Sequence, residues 1–148
     1  MNLVYDVIKD AAATVELPFF YGSANEVIGQ MNLSISNKQT VYPAVVLFNN
    51  YTESRLRHFT KVDNLVLILL KPAEKIQGPT SEQNEAKFNE LQDNLSDIIT
   101  AFCKDSRIQG ITPLAFEHEL TRLYAPFGSS FLCELRVNFT SINFINQC

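Results

Sequence analysis

The sequence predicts an α+β fold: a mostly antiparallel sheet of about four strands, with helices packed on one face and a long protruding β-hairpin arm. Three observations carry that expectation. "YPAVVLF" (Tyr42–Phe48) and "NLVLILLK" (Asn64–Lys71) are nearly continuous apolar runs, as found inside sheets with something packed over them. Phe88, Leu91, Leu95, Ile98, Ile99 and Phe102 fall on one face of a long helix, with polar residues opposite. "SSFLCELRVNFTSINF" alternates: Phe131, Cys133, Leu135, Val137 and Phe139 point one way, and Glu134, Arg136, Asn138 and Thr140 the other. Runs of strands with helices segregated from them define the α+β class.

The remaining elements follow in chain order. Asn2 caps a first helix whose stripe is Leu3, Val4, Val7, Ile8 and Ala11, and Pro18 limits its length. Ser23 and Glu26 have capping-box spacing for a short helix over roughly Ala24–Met31, after which "LSIS" reads as extended. The polar segment between the two apolar strands, "NNYTESRLRHFTKVD", is too long for a tight turn and predicts the hairpin arm, Asn49–Asp63. Pro72, Gly78 and Pro79 mark a loop, and Thr80 with Gln83 offers a cap for the long helix. "GITPLAFEHELTRLYAP" reads as the next strand. With no repeat or linker, residues 1–148 form a single domain.

Composition narrows the function classes. Hydrophobic residues make up 46% and charged residues 19%, a globular balance that argues against disorder. A net charge of −4 argues against a dedicated nucleic-acid binder. "MNLVYDVIKDAAA" lacks the pattern of a signal peptide, and "LVLILL" is too short to span a bilayer, so the expected setting is a cytoplasm with no membrane contact. There Cys103, Cys133 and Cys148, an odd set without paired spacing, are expected to be reduced.

Candidate chemistry is sparse. His58 and His118 lack partners at metal-ligand spacing, so no metal site is expected. "FGSSF" and "YGSAN" place Ser beside Gly without forming a nucleophile elbow, so neither a catalytic residue nor a cofactor is expected. Gly22 leads into a helix start, as in phosphate cradles, but it stands alone with no following Lys. The expected role of "PFFYG" is an aromatic anchor and a turn. The arm is richer: Arg55, Arg57, His58 and Lys61 interleave with Tyr51 and Phe59, either as a solvated tip or as an intersubunit contact. The polar side of the last strand, Glu134 to Thr140, is likewise either wet or partner-facing.

The order of these features resembles the tail-terminator and head–tail joining (neck) proteins of tailed bacteriophages, of the type seen in phages of Bacteroidetes hosts. The resemblance rests on an N-terminal helix before "PFFYGSANEV", on "YPAVVLF" followed by an arm and "LVLILL", and on one amphipathic helix with a closing hairpin. It spans nearly the whole chain. It implies a non-enzymatic virion structural protein, assembled in the host cytoplasm, that forms a homo-oligomeric ring, a hexamer or dodecamer. Such a ring stops tail growth or bridges tail and portal-proximal neck proteins around a passage for DNA, which is only cargo.

On that reading Tyr51, Arg55, Arg57, Phe59 and Lys61 are the intersubunit contacts, with loops Pro72–Thr80 and Ala125–Ser130 as secondary ones. Deleting Thr52–Lys61 is expected to spare the fold and abolish assembly. Two alternatives stay open. One is a small ligand-binding or accessory domain with a pocket of Phe19, Phe20, Tyr21 and Tyr124. The other is an enzyme built around His118 and nearby carboxylates.

Overall fold

The computed structural model describes residues 3–73, 81–108, 118–127 and 130–145. Their elements run α1 (Leu3–Thr14), β1 (Phe19–Gly22), α2 (Ala24–Ser36), β2 (Ala44–Phe48), β3 (Thr52–Arg55), β4 (Phe59–Pro72), α3 (Ser81–Lys104), β5 (His118–Phe127) and β6 (Ser130–Ile145). The class is α+β, as expected. The sheet is larger than expected: six described strands, in the order β1-β2-β4-β6-β5, with β3 also on β4. It is also mixed. β1 runs parallel to β2, whereas the other described pairings are antiparallel.

The central strands carry apolar side chains on both faces, and each face has its own core. Val45, Leu47, Leu65, Leu67, Leu69, Leu135, Val137 and Phe139 meet α1 through Val4, Val7 and Ile8, and α3 through Leu91, Leu95, Ile98 and Phe102. Ala44, Val46, Ile68 and Leu70 turn to the other face, where Val27 and Met31 of α2 cover them with Phe20 and Leu132. The expectation of helices on one face is therefore corrected. The physical reason lies in "AVVLF" and "LVLILL": a strand without polar alternation has two faces to bury, and α2 covers the second.

Two further expectations change. "LSIS" is not extended but completes α2, which runs to Ser36. Its alternation is not the mark of a half-buried strand, since Leu33 and Ile35 are 63% and 47% exposed. The aromatic segment is a short strand, Phe19 and Phe20 pairing with Val45 and Val46, rather than a plug alone. Asn2, the Thr80 cap, residues 110–117 of the predicted penultimate strand, and Cys148 lie outside the described residues. Cys103 and Cys133 form no disulfide among the described residues.

β2 and β3 both lie along one side of β4. Ala44–Leu47 pair with Leu70–Leu67, and Thr52–Arg55 pair with Asp63–Thr60, offset by one residue. Together they form one long ribbon that turns at Leu56–Phe59, where the Leu56 N–H donates to the Phe59 carbonyl at 2.8 Å. The distal half is backed on its other side by β6, from Phe59↔Ile145 to Asp63↔Ser141. The region is thus three strands wide.

One irregularity shapes this half. Asn64 has φ 61°, a left-handed conformation that Asn tolerates better than most residues. The ladder steps from Asp63↔Ser141 to Leu65↔Phe139 without pairing Asn64. Val62 and Leu65, three apart, point into the same core, and so do Phe139 and Ile142 on the facing strand. Each strand therefore takes up one extra residue at the same level, and the register is kept on both sides.

The distal half is clasped to the end of α3. Arg107 donates to Asp105 at 2.7 Å and to Asp10 of α1 at 2.8 Å. Its carbonyl accepts from the Ile145 N–H at 2.6 Å. The hydrogen bond from Arg107 holds the Asp105 carboxyl below its ordinary range, although partial burial opposes the shift. A shallow cleft of about 490 Å³ between α1 and α3 is lined by Asp10, Lys104, Asp105 and Arg107. Its guanidinium is already engaged by two carboxylates, so the cleft offers an anion little unspent charge.

Candidate functional site

Local geometry settles the role of the first glycine. Gly22 has φ +143°, and a Cβ there would lie 3.1 Å from the Glu26 Cβ. Ser23 caps α2: the Glu26 N–H donates to Ser23 Oγ at 3.3 Å, and the Ser23 N–H donates to Glu26 Oε1 at 3.2 Å. Hydrogen bonding from Ser23, first its side chain and then its N–H, holds the Glu26 carboxyl below its ordinary range. The position a phosphate would take is filled by the chain's own carboxylate, so this joint is structural.

The aromatic pocket does not assemble as expected. Phe19 and Tyr21 gather with Tyr5 of α1, ring centroids 5.7 and 4.9 Å away, and Lys9 stands over Tyr5 at 5.5 Å. Phe20 points to the opposite core, and Tyr124 belongs to β5, at the far end of the strand order. What forms is a recess of about 410 Å³ lined by Tyr5, Phe19, Tyr21 and Gln30. Gln30 Nε2 donates to the Tyr21 carbonyl at 3.1 Å, occupying part of the open edge of β1.

The polar side of β6 separates into two environments. Arg136 and Asn138 are exposed, whereas Glu134 is only 6% exposed. It lies between Leu70 and Leu123 in the register, with Arg136 at 3.0 Å. Burial raises its pKa above the usual 4.5, and the Arg136 charge only partly offsets this. The folded state therefore holds this proton to higher pH than the unfolded chain does. Nothing is lost below about pH 4.5. As pH rises through the raised value, the unfolded chain releases its proton first and stability falls. Glu134→Gln is expected to melt later than the parent at pH 7.5 and with it at pH 4, as read by urea unfolding at both values. A less stable variant at pH 7.5 would show that the Arg136 ion pair dominates.

The predicted arm contacts fall into two groups. Tyr51 is half-buried against the core, its hydroxyl 3.5 Å from that of Tyr21, so it anchors the ribbon to its own chain. Arg55, Arg57 and Lys61 are exposed and Phe59 is half-buried. Their nearest anions are loosely held, Arg55 to Glu53 at 3.8 Å and Lys61 to Asp63 at 4.0 Å. Exposed ion pairs of this kind contribute little.

Sequence reasoning missed Leu56 and Ile145 beside these cations. They are 49% and 41% exposed, and Ile145 pairs with Phe59 across the ladder. An apolar residue between Arg55 and Arg57 was the available signal for Leu56; Ile145 had none, because only the β6 register brings it to the tip. By register Leu56, Phe59 and Ile145 share one face with Lys61, whereas Arg55, opposite the buried Thr60, lies on the other. An exposed apolar cluster beside a cation suits a protein contact.

His58 lies in the ribbon turn, whereas His118 opens β5 opposite Phe139, so the two are not brought together. Among the described residues, no three His, Cys, Asp or Glu gather in a way that could hold a metal ion. The buried Cys133 thiol is 3.6 Å from Asn84 Oδ1. No helix of the described residues is long and apolar enough to cross a membrane. No family model matches the chain, and no curated protein or solved structure was found to be similar to it.

Proposed function

We propose that this protein is a virion structural subunit, a ring-forming tail terminator or neck component that joins tail to head around a passage for DNA. The observation that carries the reading is the end of the ribbon. There Leu56 and Ile145 stay exposed on one face with Lys61, on a hydrogen-bonded three-stranded support rather than a loose loop, and Arg55 and Arg57 are exposed at the same end of the ribbon. Rigid presentation lowers the entropy lost on docking. The ribbon tip serves as the intersubunit arm. The segments 72–80 and 125–130 face tail or portal-proximal partners; 74–80 and 128–129 of these lie outside the described residues. An overall charge of −4 suits a bore through which DNA slides without sticking. The role is geometric and involves no cofactor.

The structure changes how this is tested. Deleting Thr52–Lys61 would remove the buried Thr60 and three rungs of the β4–β6 ladder, so that deletion would damage the fold as well. Leu56→Ser combined with Ile145→Ser leaves the ladder in place. Light scattering and negative-stain imaging of the parent chain, alone and coexpressed with the products of its flanking genes, should show closed rings. The double variant should weaken assembly at least about tenfold. A parent that stays a single copy even with those products would overturn the reading.

A second reading, a ligand-binding domain, draws on the recess at Tyr5, Phe19 and Tyr21. Titration of small aromatic and polar ligands against the Tyr5 and Tyr21 NMR signals tests it.

A further inference from the structure

The assembly reading names one contact surface and leaves open what receives it. α3 supplies a candidate. Its buried face carries Phe88, Leu91, Leu95, Ile98 and Phe102, so the opposite face points away from the sheet. On that exposed face stand Glu82, Asn89, Asp93 and Asp97, spaced seven, four and four residues apart. This spacing makes a stripe along the helix, about 22 Å long at 1.5 Å per residue.

Other acidic residues of α3 are already used. Glu85 accepts from Arg122 at 2.6 Å, and Glu90 is paired with Lys71. Glu82, Asp93 and Asp97 have no cation within ion-pair distance among the described residues. At the ribbon tip, Arg57 likewise has no anion within ion-pair distance among the described residues, and Arg55 holds Glu53 only at 3.8 Å.

No described ion pair joins tip to stripe within one chain. They are also different surfaces, so contact between them would be heterologous, and such contacts close into rings when the rotation per subunit fits.

We propose that the ribbon tip of one copy docks on the acidic outer stripe of α3 in a second copy, with Arg55 and Arg57 facing Asp93 and Asp97. The proposal rests on the assembly reading. It adds the receiving surface and therefore a direction around the ring. Complementary charge sets register and partner choice. Because the charges are solvent-exposed before contact, association weakens as salt rises.

Charge reversal on the full chain tests this by sedimentation velocity in low and high salt. Arg55→Glu with Arg57→Glu, and separately Asp93→Lys with Asp97→Lys, should each weaken self-association at least about tenfold. The fourfold variant carrying both reversals should recover most of it. Circular dichroism confirms that each variant is folded. If the parent assembles and either reversed pair assembles equally well, or if the fourfold variant is not rescued, the α3 docking is wrong while the assembly reading stands. A parent that is a single copy at every concentration overturns the docking, and the flanking-gene coexpression then decides the assembly reading by itself.

Discussion

Phe139→Ala is expected to destabilise the protein by about 3–5 kcal/mol, as large-to-small changes at fully buried aromatic positions do. Phe139 has no exposed surface and sits in the larger core, its ring centroid 6.3 Å from that of Phe102. It also lies at the last regular level of the β4–β6 ladder, facing Leu65 just before Asn64. Alanine there would remove the ring that joins α3 to the sheet at this level. The collapse that softens such losses elsewhere is blocked by neighbours already fixed in the ladder. Against a total of about 5–15 kcal/mol for a domain, this loss leaves the native state marginal. A chemical denaturation series should show an earlier midpoint with an unchanged slope, since the surface exposed on unfolding is nearly the same. A shift below about 1 kcal/mol would show that the ring is less tightly packed than its burial implies.

Val27→Asp is expected to have a comparable or larger effect, above about 4 kcal/mol, because it places a carboxylate in an apolar core. Val27 is fully buried where α2 covers Val46, Ile68 and Leu70. None of those neighbours can donate a hydrogen bond from its side chain, so the acid must stay neutral or α2 must leave the sheet. Limited proteolysis distinguishes this from global unfolding: early cleavage within Ala24–Ser36 marks release of the helix. If the variant melts like the parent and resists cleavage, α2 does not cover the second face. The expectation of helices on one face would then have been right.

The parts legible in the sequence are those whose burial pattern is long and uniform. The face of α3 from Phe88 to Phe102 and the alternation from Cys133 to Phe139 needed no tertiary information, because one periodicity ran through each. The unbroken runs at Ala44–Phe48 and Leu65–Leu70 held the signal that both faces are covered, but the expectation placed helices on one face and missed α2 on the other. β3 was harder. "TESR" is wholly exposed, and it is a strand only because its backbone pairs with Asp63–Thr60. β1 is four residues long, and its direction is set by pairing beside Val45 and Val46. Leu33 and Ile35 misled because two exposed apolar residues imitate a strand.

The candidate site shows the same division. Arg55, Arg57 and Lys61 could be read as an exposed cluster from the chain alone. Tyr51 could not be separated from them, because what draws it inward is Tyr21, thirty residues earlier.

The matched irregularity at Asn64 has a consequence for how this chain can vary. Losing one residue from β4 alone near Asn64 would slide Phe59–Asp63 by one step against β6. Thr60 and Val62 would turn out of the core, and the side chains that now form the outer surface would turn in. The same loss mirrored at Thr140 or Ser141 would restore the pairing, because both strands would shorten together. Insertions and deletions at this level are therefore tolerable only as compensating pairs some 75 positions apart in the chain. Among divergent homologues, length changes near Asn64 should be inherited jointly with length changes near Thr140.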